Sequence, residues 1–138
     1  EAAVVPFCAL FLDLDHFKQV NDTAGHAAGD AVLRDIATIL LAQVRKADTV
    51  SRLGGDEFAI VLSACPLQQG RTVAEKIRAA IVAYQLDWEG SSFQVGASIG
   101  LVLVDAGFTG TTEVLAAADN ARYAAKHRGR NCVMVFGD

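Results

Sequence analysis

Apolar runs and amphipathic stretches alternate along the chain. Val4 to Leu14 is nearly all apolar, with Phe7, Leu10, Phe11 and Leu12, and predicts a strand buried on both faces. It ends where charge appears abruptly, at Asp13 and Asp15. His16 to Thr23 predicts a short helix, and Gly25 and Gly29 bracket a break. From about Asp30 to Val44, Val32, Leu33, Ile36, Leu40 and Val44 recur at helical spacing and predict a second helix with one apolar face. Val50–Leu53 and Phe58–Leu62 predict two strands joined by a tight turn at Gly54 and Gly55. A third helix follows Pro66, with Val73, Ile77, Ala80, Ile81 and Tyr84 on one stripe. Gly90-Ser91-Ser92 reads as a loop, and Phe93 to Val104 contains a strand, a candidate second arm of a hairpin. Thr111 or Thr112 can cap a fourth helix with Glu113 in its first turn. That helix carries Leu115, Ala118, Arg122 and Lys126 toward Gly129, and Val133 to Phe136 closes as a last strand.

The predicted order is β-α-α-β-β-α-β-α-β. Strands alternate with helices, but a hairpin interrupts the alternation. This is an α/β (α+β) pattern: a mixed sheet of about five strands with helices packed around it, of the split βαβ kind. With 138 residues, no internal repeat, no low-complexity tract and no linker, residues 1–138 read as one domain.

Composition adds exclusions. A hydrophobic share of 52% supports an ordinary core. A net charge of −4 argues against broad binding to nucleic acid, while leaving room for a small anionic nucleotide held by a metal and a few local cations. Cys8, Cys65 and Cys132 form no CxxC pair and read as small apolar core residues in a reducing compartment. No apolar run is long enough to span a membrane and no signal peptide is visible; a cytoplasmic location is expected, with the cytoplasmic part of a membrane-bound receptor as the alternative. The first residue is Glu1 rather than Met, so the chain is expected to be part of a longer protein.

Several clusters could carry chemistry. Asp56 and Glu57 sit at the tip of the predicted hairpin, where like charges repel and a turn needs neither for its own sake. A divalent cation or a polyphosphate would account for them. If the hairpin pairs beside the first strand, Asp56 could face Asp13, so that acids from distant segments hold one Mg²⁺ ion. Asp13 and Asp15 stand at the carboxyl end of a buried strand before a helix start, where α/β proteins place ligands and free N–H groups suit phosphate. Capping of that helix by either acid is an equal alternative. Lys126 and Arg130 can share a face at a helix C-terminus, where cations also suit the dipole. Asn21 and Asp30 offer the donor and acceptors to read a guanine edge, although Asp30 could simply cap a helix. Arg45-Lys46-Ala47-Asp48 reads either as a guanine-binding arginine or as a charged helix end. His16, His26 and His127 make no metal-ligand spacing.

Taken in order, these residues resemble the GGDEF domain of bacterial diguanylate cyclases over nearly the whole chain. Asp13 to Lys18 fits the family's D-x-D-x-F-K. Asn21-Asp22, Gly25-His26 and Gly29-Asp30 fit its N-D and G-H-x-x-G-D. Gly54 to Phe58 is the signature itself. Ala97 to Gly100 resembles its S-I-G strand, and Ala118-Asp119 through Arg130-Asn131 its A-D…Y-x-A-K…G-R-N. The family's leader, D-x-L-T-x-L-x-N-R, has no counterpart in these residues.

The resemblance implies a palm-like, ferredoxin-related nucleotidyl cyclase core. It also implies condensation of two GTP into cyclic di-GMP with release of pyrophosphate, in a homodimer with one GTP per subunit and Mg²⁺ or Mn²⁺ as cofactor. Asp13, Asp56 and the Leu14 carbonyl are then metal ligands, with Glu57 either on a second metal or acting as general base. Phe17 and Lys18 offer backbone N–H groups to phosphate, Lys126 and Arg130 grip its far end, Asn21 and Asp30 read guanine, and Gly54 and Gly55 let the turn approach the nucleotide. Arg45 and Asp48 match an R-x-x-D site where product binds and inhibits. An upstream sensor domain is a further implied partner. A catalytically weak module that binds GTP or cyclic di-GMP as a sensor is the alternative.

Overall fold

The computed structural model describes residues 5–137. Strand β1 (Phe7–Asp15) leads into helices α1 (Phe17–Ala24) and α2 (His26–Gln43). Strands β2 (Thr49–Gly54) and β3 (Glu57–Leu62) form the expected hairpin, followed by α3 (Leu67–Ala83). A short hairpin, β4 (Leu86–Trp88) and β5 (Ser91–Phe93), precedes β6 (Gly96–Val104), α4 (Thr111–His127) and β7 (Val133–Val135). The five-stranded sheet has the order β2-β3-β1-β6-β7; the β6–β7 pair is parallel and the others are antiparallel among the described residues.

β1 is the centre of the sheet, antiparallel to β3 on one side and β6 on the other. Helices cover both faces, which is why its sequence reads as a continuous apolar run. The period of two sorts its side chains. Cys8, Leu10, Leu12 and Leu14 join Ile60, Leu62, Ile99 and Leu101 in the large core beneath α1, α2 and α3. Ala9 lies on the opposite face with Val102, Ala117 and Ala118, beneath α4. Asp13 is in phase with Ala9, so the pleat turns it away from the large core and toward α4.

Gly100 on β6 determines how closely α4 lies over this second face. A Cβ there would sit 2.3 Å from the backbone nitrogen of Arg122 and 2.6 Å from the Ala118 carbonyl oxygen. Only a residue without a side chain lets the helix backbone come so near, and this contact suspends Arg122 and Lys126 above the end of β1.

Several elements differ from the sequence expectations. The first strand begins at Phe7 and extends to Asp15; Val4 lies outside the described residues. The second helix starts at His26, a turn before Asp30, because Gly29 does not break it. Gly29 is instead a packing position, where a Cβ would collide with the Asn21 side chain at 1.8 Å. The loop expected at Gly90-Ser91-Ser92 is a turn at Glu89 and Gly90, both at positive φ, leading into β5. Helix α4 is preceded by Gly110, not capped by Thr111 or Thr112, and Glu113 reaches back to accept hydrogen bonds from the Thr109 amide and hydroxyl. Cys8 and Cys65 are buried as expected, whereas Cys132 is half-buried. No helix among the described residues is long and apolar enough to cross a membrane.

Candidate metal and nucleotide site

The β2–β3 turn consists of Gly55 and Asp56, with Gly54 and Glu57 paired on either side. Gly55 has φ +50° and Gly54 φ +149°, backbone conformations that glycine adopts at little cost. Arg52 ties the turn from within, its Nε donating to the Gly55 carbonyl at 3.1 Å. The Leu14 amide ties it to β1, donating to the Asp56 carbonyl oxygen at 3.1 Å. In this register Glu57 stands directly opposite Asp13.

Carboxylate oxygens of Asp13, Asp56 and Glu57 come within 4.8 Å of one another. Asp13 is buried, while the other two are partly open to solvent. Burial pushes the Asp56 carboxyl above its ordinary range, and the charge of Asp13 adds to the push. Oxygen donors from three carboxylates beside a backbone turn form a hard-ligand set of the kind that Mg²⁺ and Mn²⁺ take. The residues therefore fit a divalent ion on the chemistry of their donors and on their convergence.

Two cations of α4 close the site from above. Lys126 Nζ pairs with Asp13 Oδ2. Arg122 reaches Asp13 Oδ1 at 3.2 Å and Glu57 Oε1 at 3.1 Å, and also pairs with Asp119 on its own helix. Its Nε is buried and has no hydrogen-bond partner among the described residues. The sequence assigned no role to Arg122. The signal was its spacing: it stands one helical turn before Lys126 and shares that residue's face of α4.

The second acid of β1 has a different role from either expectation. Asp15 accepts hydrogen bonds from the Ser98 hydroxyl at 2.7 Å and the Asn131 amide at 2.8 Å, binding β6 and the segment after α4 to β1. Neither Asp13 nor Asp15 caps α1; His16 occupies that position in the left-handed region at φ 68°. The amides of Phe17 and Lys18 lie in the first turn of α1, where a helix leaves N–H groups without internal partners.

Arg130 departs from its predicted geometry. α4 ends at His127, Gly129 turns the chain at φ +114°, and Arg130 follows at φ 65°, so Lys126 and Arg130 do not share a helical face. Arg130 lines a depression of about 260 Å³ with Asp15, His16 and Gly96, beside the start of α1. Asn21 lies against Gly29, next in sequence to Asp30. Asp30 is exposed in the second turn of α2 rather than a cap, and it opens onto a hollow of about 450 Å³ with Arg34, Arg52 and Phe58. Asn21 is not among that hollow's lining residues.

Arg45 and Asp48 form a knot of their own between α2 and β2. The Asp48 carboxylate accepts from the Arg45 amide at 2.7 Å, the Arg45 guanidinium at 3.1 Å and the Ser63 amide at 2.9 Å. Burial opposes ionisation of Asp48, but these hydrogen bonds outweigh it and hold its carboxyl below the usual range. The Arg45 guanidinium also donates to the Ser63 carbonyl, and the side chain is about half exposed.

The family model described as "Diguanylate cyclase, GGDEF domain" matches residues 2–132. Among curated proteins, the chain is 46% identical over 127 residues to the probable diguanylate cyclase DgcE of Escherichia coli, covering 92% of this chain and 12% of that protein. It is 42% identical over 124 residues to the diguanylate cyclase DgcP of Pseudomonas aeruginosa, covering 90% of this chain and 18% of that protein. The chain thus spans less than a fifth of either relative. Among solved structures, the GGDEF domain of DgcB from Caulobacter crescentus, in complex with c-di-GMP, superposes with a TM-score of 0.90 at 32% identity, covering 96% of this chain and 79% of that one.

Proposed function

Because this chain belongs to the GGDEF-domain family of diguanylate cyclases, we propose that it condenses two GTP molecules into cyclic di-GMP. The observation that carries the reading is the convergence of Asp13, Asp56 and Glu57 from two segments distant in sequence. Each of two facing copies would hold one GTP. In each half-reaction the 3′-hydroxyl oxygen bonds to the α-phosphorus of the other GTP, the bond from that phosphorus to the bridging oxygen breaks, and pyrophosphate leaves. Two such steps close the ring.

Asp13, Asp56 and the Leu14 carbonyl would hold Mg²⁺ or Mn²⁺, with Glu57 beside them. The ion, when bound, supplies positive charge to the phosphates and eases loss of the hydroxyl proton. Glu57, partly open to solvent, would either ligate a metal ion or take that proton as general base. Lys126 would shift from Asp13 to phosphate once the acids are neutralised. Arg130 and the Phe17 and Lys18 amides, grouped at the start of α1, would receive the terminal phosphates. Asn21 and Asp30 would select guanine, and Gly54 and Gly55 leave room for the nucleotide beside the turn. Arg45 would bind cyclic di-GMP and restrain turnover, with Asp48 holding it in place. An upstream sensor domain would bring two copies together in the cytoplasm.

The test is incubation with GTP and Mg²⁺ across a protein concentration series, with product identified by chromatography and mass. Cyclic di-GMP should form, rise more than linearly with protein, and vanish with EDTA. Absence of product at high protein concentration overturns the catalytic reading for this chain. A second reading, a nucleotide sensor that turns over little, is favoured by the two cations already seated on Asp13. Cyclic di-GMP binding that is lost in Arg45→Ala, without turnover in the parent, would select it.

A further inference from the structure

We propose that Arg122 is a built-in counter-ion for the divalent-cation site: it holds Asp13 and Glu57 while no ion is bound, and so sets how tightly the site takes one. The inference rests on the reading of Asp13, Asp56 and Glu57 as the ion's ligands.

The first argument is charge. Three carboxylates within 4.8 Å of one another repel strongly in a partly buried setting. Arg122 bridges two of them, on β1 and β3, with a single guanidinium nitrogen. The second nitrogen of the guanidinium fork goes to Asp119, so one planar group ties three acids, which a compact lysine ammonium is less suited to do. Lys126 touches Asp13 alone among these acids.

The second argument is exclusion. Divalent ions sit about 2.0–2.6 Å from carboxylate oxygens. One guanidinium nitrogen of Arg122 stands 3.2 Å from Asp13 Oδ1 and 3.1 Å from Glu57 Oε1, so it already occupies oxygens that an ion would draw on. Arg122 therefore competes with an ion for these oxygens.

The third argument is that the guanidinium has somewhere to go. Asp119, one turn earlier on α4 and exposed, already pairs with Arg122. The unpartnered, buried Nε marks a side chain placed for its charged end rather than for complete hydrogen bonding. Arg122 is therefore a positioning residue: it preserves the spacing of the acids and competes for them.

The experiment measures Mn²⁺ binding to nucleotide-free protein by electron paramagnetic resonance, in wild type, Arg122→Gln, Arg122→Lys and Asp56→Asn. Removing a cation this close should tighten Mn²⁺ binding on the order of tenfold in Arg122→Gln, with Arg122→Lys falling between it and wild type. A merely structural residue would leave affinity unchanged or weaken it, and either result in a folded Arg122→Gln overturns the proposal. Should Arg122→Gln fail to fold, the Arg122 Nε–H resonance of ¹⁵N-labelled wild type decides. It should shift as Mg²⁺ saturates the site, and an unmoved signal overturns the proposal. Failure of the ion-site reading looks different: wild type would then take up no more Mn²⁺ than Asp56→Asn.

Discussion

At the end of β1, Asp13 faces Arg122 and Lys126; in the loop between α2 and β2, Asp48 faces Arg45. Both are carboxylates paired with cations, yet their surroundings differ. Asp48 accepts from two backbone amides as well as a guanidinium, so its charge is satisfied within the fold and its carboxyl is held low. Asp13 shares its cations with Glu57 and Asp119, while Asp56 beside it is pushed upward by burial and by the charge of Asp13. A carboxylate answered by backbone amides serves the fold. Carboxylates forced together and answered mainly by side-chain cations remain available to something that arrives from solution.

The strongest way to break this contrast is Asp56→Asn. Turnover should fall by at least about 10²-fold, the scale of losing a group that stabilises charge in the transition state, while the fold is kept. Steady-state product formation beside a urea melt checks both halves. The reciprocal change, Asp48→Ala, strands the Ser63 and Arg45 amides and should destabilise by about 2–3 kcal/mol in urea melts. If Asp48→Ala melts like the parent, Asp48 is not the structural member of the pair.

Gly100→Ala tests whether close approach of α4 builds the acid-rich site. The methyl group would meet the Arg122 backbone, so the helix must shift; the expected cost is about 1–3 kcal/mol together with weaker metal binding. Unchanged metal affinity would separate helix packing from the site.

Acid should pull the two carboxylates in opposite directions. Asp48 has a lowered folded pKa, so its stabilising contribution is present above its unfolded value of 3.8 and is lost as pH falls through the lower folded value. Asp56 has a raised folded pKa, so its ionisation disfavours the fold at neutral pH, and that penalty fades as pH falls through the raised folded value toward 3.8. Asp56→Asn should therefore gain stability at pH 7 and lose the gain in acid, whereas Asp48→Asn should lose stability at pH 7 and converge with the parent in acid. Urea midpoints across pH 3–7 read both. The smallest expected effect is that of Arg45→Ala on stability. Its side chain is about half exposed and Asp48 keeps its two backbone donors, so the variant should melt only slightly below the parent while losing cyclic di-GMP affinity, read by calorimetry.

Much of the fold was legible because burial leaves a period. The continuous apolar run of β1 and the helical stripe of Val32, Ile36 and Leu40 were each predicted within a few residues. The β4–β5 hairpin was not, because its two short strands bury only Leu86 among their residues and leave little pattern to read. Gly29 looked like a breaker because sequence carries no record of the Asn21 side chain that fills the space beside it. Lys126 and Arg130 looked like a helical pair because spacing does not reveal that Gly129 turns the chain between them.

The sequence by itself determined that acids collect at a strand end and at a glycine turn, where a turn needs neither acid for its own sake. The tertiary structure alone decided that the two places are one. The register of β1 against β3 sets Glu57 opposite Asp13, and Gly100 brings α4 down until Arg122 and Lys126 reach them. The reason is physical: periodicity reports which face of an element is buried, whereas pairing register and helix height depend on contacts between residues far apart in the chain.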